Sequence, residues 1–192
     1  DDQDTEVALD DLAVAVFAAG CDGLWVHARK AWLQGLSPKE NREIPPLDYD
    51  RVRRLKFRLP NRFIGLNGGV GSLTEAGAHM DAGDGVMIGR AAYQTPAMLA
   101  GVDAFLAGEA AAAPDLFALA EPMAAYAERH IRAGGRLSHV TRHMVGLFHG
   151  RSGARRFRQI LSDEAVRPGA DVSVIHRAFA AVAEAEAQRD AA

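Results

Sequence analysis

The stretch RFIGLNGGVGSLTEAGAHMDAGDGVMIGRA, residues 62–91, contains the alternation of strand and helix that decides the fold. An apolar strand over residues 62–67 ends in a glycine turn, and SLTE at residues 72–75 then has the Ser-x-x-Glu spacing of a helix capping box. A second apolar strand at residues 85–89 runs directly into another helix from Ala91. Short strands that alternate with helices predict parallel β-α units.

The same alternation continues upstream. Apolar residues lie near helical spacing over residues 5–19 and stop at Gly20. A strand pattern follows at residues 23–28, and a second helix pattern begins near residue 50 and ends at Pro60. Three β-α units are too few to close a barrel, which requires eight.

A change of composition marks a domain boundary. Residues 108–114 are rich in Ala, Gly and Pro, and no strand pattern follows them. We therefore predict an α/β domain at residues 1–110 and an all-α domain at residues 111–192. The second domain is predicted to contain helices at residues 115–133, 138–148, 153–161 and 172–188.

A long connection, VHARKAWLQGLSPKENREIPPLDY at residues 26–49, follows the first strand. Structureless loops longer than about 12–15 residues are uncommon and are usually functional or disordered. SPKE at residues 37–40 has a capping Ser, a Pro at the first helical position and a Glu three residues after the cap, which predicts a short helical turn. The side chains of Lys39 and Arg42 would then project from one face.

Charged residues are unevenly distributed, although the net charge is only -3. Seven acids and no Lys or Arg precede His27, whereas residues 128–167 contain nine arginines and three acids. Arg155 and Arg158 lie three apart and share one helix face, so this pair and the loop pair could together bind a nucleic-acid backbone. On charge alone, a solvated helix surface explains the cluster equally well. The inward positions of the same helix are available to Phe157, Ile160 and Leu161.

The composition is that of an ordinary globular protein and excludes several other classes. No apolar run approaches the roughly 18 residues of a membrane span, and the N-terminal DDQDTE is not a signal peptide. A single cysteine, Cys21, excludes an internal disulfide framework, so we expect a cytoplasmic protein. The chain begins without Met and in the middle of a pattern, which predicts a fragment of a longer protein.

Two glycine turns end successive strands and suit a phosphate. Asn67, Gly68 and Gly69 follow one strand, and Gly89 and Arg90 follow the next, directly before a helix. Glycine lets backbone N–H groups approach a ligand closely, and a helix N-terminus adds partial positive charge. The guanidinium of Arg90 could add a bidentate contact. A purely structural role is the alternative for either turn alone, and GLNGGVG is not the GxGxxG fingerprint of a dinucleotide site.

Histidine and cysteine positions give weaker signals. His27 lies at the carboxyl end of its strand, where such folds collect ligands, although a structural hydrogen bond is an equally good role. Cys21 lies before the same strand and is predicted to be a small core residue remote from that edge. His139 and His143 have i, i+4 spacing without the Glu of the HExxH motif, so we expect a surface pair and no metal site.

Four stretches of the chain are specific enough to compare with a known family. They are HARKAWLQGLSPKENREIPPLDY (27–49), IGLNGGV (64–70), DGVMIGRAAYQTP (84–96) and SHVTRHMVGLFHGRSGARRFRQILS (138–162). Together they resemble the C-terminal part of the A-type tRNA-dihydrouridine synthases, and the match covers essentially the whole chain in order. The resemblance implies the C-terminal portion of an FMN-binding TIM (β/α)8 barrel at residues 1–110, followed by a helical tRNA-binding domain at residues 111–192. It also implies an oxidoreductase that reduces a D-loop uridine of tRNA to 5,6-dihydrouridine with FMN and NADPH, as a monomer when full length.

The resemblance also implies roles for individual residues. The family's catalytic cysteine, which protonates the uracil ring, and its flavin-contacting Lys and Gln belong to an earlier barrel half that this chain lacks. Cys21 cannot replace that cysteine because it lies at the other end of its strand, so the chain alone is expected to be inactive. The residues implied for FMN are His27, Asn67, Gly68, Gly69, Gly89 and Arg90, with both glycine turns around the phosphate. The residues implied for tRNA are Lys39, Arg42, Arg155 and Arg158.

Two alternatives to the synthase interpretation are open. The chain could act as an RNA-binding helical module without catalysis, or as another phosphate-binding barrel enzyme such as a phosphosugar isomerase. A flavin-absorbing preparation would favour the synthase over both alternatives. Binding of tRNA without flavin would favour the RNA-binding module.

Overall fold

The computed structural model describes residues 3–110 and 112–191. Contacts between residues divide the chain into two compact units, Asp1–Gly89 and Arg90–Ala192. Each unit is described by itself below. The domain boundary predicted from composition after residue 110 stays a prediction, and residue 111 lies outside the described part.

The first unit alternates helices and strands, as the sequence pattern predicts. Its described residues contain three strands, β1 (Gly23–His27), β2 (Phe63–Asn67) and β3 (Gly85–Met87), which form one parallel sheet in the order β1-β2-β3. The unit is therefore a mixed α/β structure, whereas closure of an eight-stranded barrel stays a prediction. The elements are α1 (Thr5–Ala18), β1 (Gly23–His27), α2 (Tyr49–Arg58), β2 (Phe63–Asn67), α3 (Leu73–His79) and β3 (Gly85–Met87), with short 3-10 helices at Glu40–Arg42 and Met80–Ala82.

Side-chain caps begin the three helices. The Asp4 carboxylate accepts a hydrogen bond from the backbone N–H of Glu6, and the Asp48 carboxylate does the same for Arg51. The hydroxyl of Ser72 accepts from the N–H of Glu75 at 3.1 Å, as the capping box predicts. Local sequence therefore fixes where each helix begins, because these side chains satisfy backbone donors that a helix start leaves unpaired.

The sheet buries one face and leaves the other partly open, because successive side chains of a strand point to opposite sides. On the open face, Trp25 and Phe63 remain 44% and 38% exposed, with ring centroids 5.5 Å apart. The Trp25 ring lies across Gly65 of the neighbouring strand, where a Cβ atom would come within 2.3 Å of it. The buried face and the helices packed on it contribute Ala13, Phe17, Val26, Val52, Leu55, Ile64, Leu66 and Ala76 to one apolar core.

Acidic residues of α1 pair with basic residues of α2. Glu6 contacts Arg54 at 2.6 Å and Arg58 at 2.9 Å. Asp10 contacts Arg58 at 2.8 Å and Arg51 at 2.7 Å. Arg51 is only 5% exposed, so its charge requires these partners. The acid-rich N-terminal segment therefore neutralises a basic helix of the same unit.

The Glu6 network predicts a pH-dependent contribution to stability. Hydrogen bonds from Arg54 and then Arg58 lower the pKa of Glu6 from 4.5 to about 2. A folded-state pKa below the unfolded value gives stability that is complete above about pH 4.5 and disappears as the pH falls toward about 2. We expect Glu6→Gln to lower the melting temperature at about pH 7 and to have little effect at about pH 2. An equal difference at both pH values would show that the carboxylate charge does not stabilise the fold.

The second unit is helical in its described residues. Its core is built around Phe148, Phe157 and Phe179, whose ring centroids lie 4.9–5.5 Å apart in edge-on contacts. Arg151 lies over Phe148 and pairs with Glu186 at 2.6 Å. The helices are α4 (Arg90–Gln94), α5 (Val102–Ala107), α6 (Ala120–Arg132), α7 (Leu137–Thr141), α8 (Ala154–Asp163) and α9 (Ser173–Asp190), with short 3-10 helices at Pro96–Gly101 and Phe117–Leu119.

The helix predicted over residues 138–148 is wrong in its second half. The α-helix α7 ends at Thr141, and residues 142–150 form successive turns. These turns bury Met144 and Leu147 at a spacing that resembles a helix, which explains the error. A Cβ atom on Gly146 would lie 2.2 Å from the carbonyl oxygen of Gln94, so a close backbone approach requires glycine there.

Among the helices of the described chain, none combines the length and apolar character that spanning a membrane requires.

Candidate functional site

The carboxyl ends of the three strands form one row of candidate residues in the first unit. His27 is paired in register with Asn67, and Asn67 with Met87. The side-chain amide of Asn67 donates a hydrogen bond to the Met87 sulfur at 2.9 Å. The sheet therefore brings His27 and the Asn67 turn together at the carboxyl-terminal ends of its strands, here called the strand edge. Parallel β-α folds bind ligands at this end of the sheet.

The turn after β2 needs its two glycines for its backbone conformation. Gly68 and Gly69 have φ angles of 129° and 70°, which side chains rarely allow. The hydroxyl of Tyr49 donates a hydrogen bond to the Gly68 carbonyl at 2.8 Å and fixes the turn. A Cβ atom on Gly68 would lie 3.4 Å from the His27 ring, so the imidazole lies directly beside the turn. On Gly69, a Cβ atom would come within 2.6 Å of Leu47.

The same turn offers unused backbone donors. Within residues 3–110 and 112–191, the N–H groups of Gly68 and Gly69 have no hydrogen-bond acceptor. Consecutive N–H groups in a turn of this kind form a concave anion site. The N–H of Gly71, two residues further along, is already used, because the Glu75 carboxylate accepts from it at 2.6 Å. The N–H groups of Gly68 and Gly69 are therefore the candidate phosphate donors of this turn, whereas the Gly71 N–H is already occupied.

The structure gives less support to the second glycine turn. A Cβ atom on Gly89 would meet nothing within 4 Å, so neither space nor backbone conformation requires glycine there. Arg90 begins the second unit at the start of α4, which has only five residues and therefore a weak dipole. The roles of Gly89 and Arg90 stay predictions.

A cavity of about 570 Å³ adjoins His27 on the side of α1 and α2. Its lining includes the apolar side chains of Leu9, Val26 and Val52, and the basic side chains of Arg29 and Lys30. An aromatic or anionic group bound at the strand edge would find both packing surface and positive charge there.

The long connection after β1 is ordered by its own polar side chains. Asn41 accepts a hydrogen bond from the Trp32 N–H at 2.7 Å and donates one to the Trp32 carbonyl at 2.8 Å. Arg29 donates to the carbonyl groups of Glu43 and Pro45. The predicted helical turn is present as the 3-10 helix Glu40–Arg42. Sequence reasoning missed the roles of Asn41 and Arg29, because their partners lie far along the chain.

Lys39 and Arg42 both lie on the surface of this ordered connection. Ser37 caps the helical turn that carries them, because its hydroxyl accepts from the Glu40 N–H at 3.3 Å and its own N–H donates to the Glu40 carboxylate at 2.8 Å. The loop therefore presents the two cations from a fixed backbone.

On α8, basic residues face solvent while apolar residues face the core. The side chains of Arg155 and Arg158 are exposed and have no hydrogen-bond or ion-pair partner among the described residues. Phe157, Ile160 and Leu161 are buried, as predicted. Two unneutralised guanidinium groups on one helix face form a candidate phosphate-binding surface.

Other arginines of the cluster are already neutralised. Arg132 pairs with Glu128 at 2.7 Å, and Arg151 pairs with Glu186 through two hydrogen bonds of 2.6 Å. The number of arginines in the sequence therefore overstates the positive charge that a polyanion would meet.

The prediction that Cys21 is a core residue is wrong. Its side chain is exposed, and the thiol donates a hydrogen bond to the Gly23 carbonyl at 2.9 Å. The helix α1 ends at Ala18, so Cys21 lies in the turn before β1 and outside the packed elements. It precedes β1 and so lies at the opposite end of the strand from His27.

His139 and His143 are exposed, which agrees with a surface pair. Across residues 3–110 and 112–191, no group of three or more His, Cys, Asp or Glu side chains could hold a metal ion.

Comparison with known proteins gives one consistent result. A family model described as "Dihydrouridine synthase (Dus)" matches residues 1–183. The tRNA-dihydrouridine(20/20a) synthase of Shewanella oneidensis is 52% identical over 182 residues, which cover 95% of this chain and 54% of the relative. The enzymes of the same name from Escherichia coli K12 and Vibrio parahaemolyticus are 49% and 47% identical and cover 96% and 95% of this chain. The chain spans 54% and 56% of the length of these two relatives, about half of each.

Proposed function

Since this chain belongs to the dihydrouridine synthase family, we propose that its residues serve the reduction of uridine to 5,6-dihydrouridine in the D-loop of tRNA. The relatives that match 95% of the chain carry the name of this activity. The observation in the structure that supports the proposal best is the glycine turn beside His27 at the strand edge, whose backbone N–H groups at Gly68 and Gly69 have no acceptor among the described residues. A tRNA substrate also favours a cytoplasmic location, and a monomeric full-length protein stays a prediction.

FMN is the cofactor that we propose for the strand edge, with NADPH as its reductant. When bound, the flavin supplies hydride to the base. The N–H groups of Gly68 and Gly69 would bind the phosphate, and the His27 imidazole beside them would orient the adjoining part of the cofactor. Tyr49 and Leu47 hold the turn in the required shape.

The proton donor of the reaction is not assigned to this chain. Side chains at the described strand edge are His27, Asn67 and Met87, and none is a cysteine. Cys21 lies at the opposite end of β1. We infer that the cysteine implied by the family resemblance is not Cys21.

For tRNA, we propose two phosphate-binding surfaces, one in each unit. Arg155 and Arg158 form the first on α8, and Lys39 and Arg42 form the second on the ordered connection. When exposed cations without carboxylate partners bind phosphates, the counterions condensed on the RNA are released, which makes affinity depend on salt. Arg155 and Arg158 meet this condition among the described residues.

Arg155→Ala and Arg158→Ala are each expected to weaken tRNA binding several-fold and to reduce the salt slope of log affinity by about one unit. Binding of an unmodified tRNA transcript, measured at several salt concentrations, checks this expectation. Arg189→Ala is the matched control. Because Arg189 is already paired with Asp190 at 2.7 Å, this substitution should leave the salt slope unchanged. Wild-type slopes in both α8 variants would remove this helix from the proposed interface. The same measurement on Lys39→Ala and Arg42→Ala tests the second surface.

An RNA-binding role without catalysis is the second candidate, and the unpaired arginines of α8 favour it. The flavin distinguishes the two candidates. If the protein binds tRNA but neither retains FMN during purification nor binds added FMN, the RNA-binding role is favoured. A phosphosugar-type enzyme would bind neither tRNA nor flavin.

A further inference from the structure

A pocket of about 450 Å³ in the second unit has no role in the function proposed above. It lies between α6, α7 and the turns that follow α7, and Met123, Tyr126 and His139 contribute to its lining. Tyr126 remains 51% exposed, so its ring is open to a ligand. The described lining residues include no carboxylate, and most are apolar or aromatic.

Two rings of the pocket, those of Tyr126 and His143, are each in contact with an arginine side chain. The guanidinium of Arg129 lies 5.9 Å from the centroid of the Tyr126 ring. Arg142 donates a hydrogen bond from Nε to Nε2 of His143 at 3.0 Å. All these residues belong to the second unit. Both arginines are exposed and lie at the pocket margin in the sense that each contacts a lining ring without lining the pocket itself. The pocket therefore combines flat apolar surfaces with positive charge at its margin.

The histidines also provide a polar contact. Nδ1 of His139 faces the Arg136 N–H at 3.4 Å and Nε2 of His130 at 3.3 Å. Because the Arg136 N–H is a donor, Nδ1 of His139 acts as the acceptor in its neutral form, and its proton is then assigned to Nε2. The Nε2–H group of His139 is thus a hydrogen-bond donor that a keto oxygen of a nucleobase can use.

We propose that this pocket binds one unstacked base of the tRNA, stacked on Tyr126, while Arg129 and Arg142 contact the adjacent phosphates. A nucleotide combines a flat aromatic group with a negative charge, which matches the ring surfaces and the cationic margin. The proposal rests on tRNA as the substrate and adds a base contact to the phosphate contacts of α8.

Replacing Tyr126 separates stacking from charge. We expect Tyr126→Leu to weaken binding of an unmodified tRNA transcript about tenfold, because leucine keeps apolar volume but removes the aromatic face. Tyr126→Phe keeps that face and should bind within about twofold of the wild type. Both variants should retain the salt slope, in contrast to Arg155→Ala, since no phosphate contact is lost. Circular dichroism of both variants checks that the fold is intact. Replacing a half-exposed side chain should not disturb it.

Each outcome of this experiment decides the proposal. Wild-type tRNA affinity in Tyr126→Leu, with weakened binding in Arg155→Ala, would overturn the base pocket and leave the proposed tRNA interface intact. Concentration-dependent self-association that Tyr126→Leu abolishes, without any change in tRNA affinity, would assign the surface to a second copy of the chain and overturn the proposal. If the wild-type chain binds no tRNA, the proposed function and the base pocket both fail.

Discussion

Replacing Phe157 with alanine is expected to lower the free energy of unfolding by about 3–5 kcal/mol, the range for removing a buried phenylalanine. The side chain is fully buried and packs edge-on against Phe148 at 4.9 Å and Phe179 at 5.5 Å between ring centroids. The ring of Phe148 belongs to the turns after α7 and that of Phe179 to α9, so neither can close the cavity unless its own segment moves. Urea denaturation followed by circular dichroism measures the change.

The matched control lies one position along the same helix. Arg158 is exposed, and Arg158→Ala should change the free energy of unfolding by no more than about 0.5 kcal/mol. The two neighbouring positions therefore separate stability from tRNA binding, because only Arg158 belongs to the proposed interface. A Phe157→Ala variant as stable as the wild type would contradict the core described for the second unit.

Residues 1–192, supplied with FMN, NADPH and unmodified tRNA, are expected to form no detectable dihydrouridine. General acid catalysis by a positioned side chain contributes about 10²–10⁴-fold to a rate, and the described strand edge carries no cysteine to provide it. In addition, β1 and β3 are the outer strands of the described sheet, and each is paired with a neighbouring strand on one side only. A flavin at the strand edge would therefore contact three strands, not the eight of a closed barrel. Mass spectrometry of nuclease-digested tRNA measures the product.

Two controls make this result interpretable. Joining the chain to the remaining part of one of its longer relatives should restore product formation. Cys21→Ala should have no effect on the restored activity, since Cys21 lies away from the strand edge. Turnover by residues 1–192 alone, unchanged in Cys21→Ala, would show that the chain contains its own proton donor and would overturn the roles proposed here.

Features that depend on neighbouring residues could be predicted from the sequence. The Ser72 cap of α3, the strand ending at Asn67 and the amphipathic helix around Phe157 depend on local periodicity and hydrogen bonding, and the structure contains all three. The return bond of a capping box is not formed, because the Glu75 carboxylate accepts from the Gly71 N–H instead of the Ser72 N–H. The meeting of His27 and Asn67 at one edge followed from parallel strand order alone. Local pattern therefore predicted both the α/β class and the place of the candidate site.

Features that depend on distant partners could not be predicted. The acids of α1 pair with α2, more than forty residues away, and nothing in the local sequence of Glu6 indicates Arg54 as its partner. Asn41 orders the long connection through both backbone groups of Trp32, although its sequence neighbours suggest only a turn. After Thr141 the apolar residues keep a spacing that is compatible with both a helix and successive turns. Periodicity alone therefore could not show that the helix ends there.

The open sheet face has a consequence for optical measurements. The chain contains two tryptophans, Trp25 and Trp32, and both belong to the first unit. Tryptophan emission therefore reports on this unit alone, while the helical signal in circular dichroism includes the second unit. Trp25 lies flat across Gly65 and is 44% exposed, so whatever covers that face should shift its emission to shorter wavelength, and a flavin bound nearby should quench it.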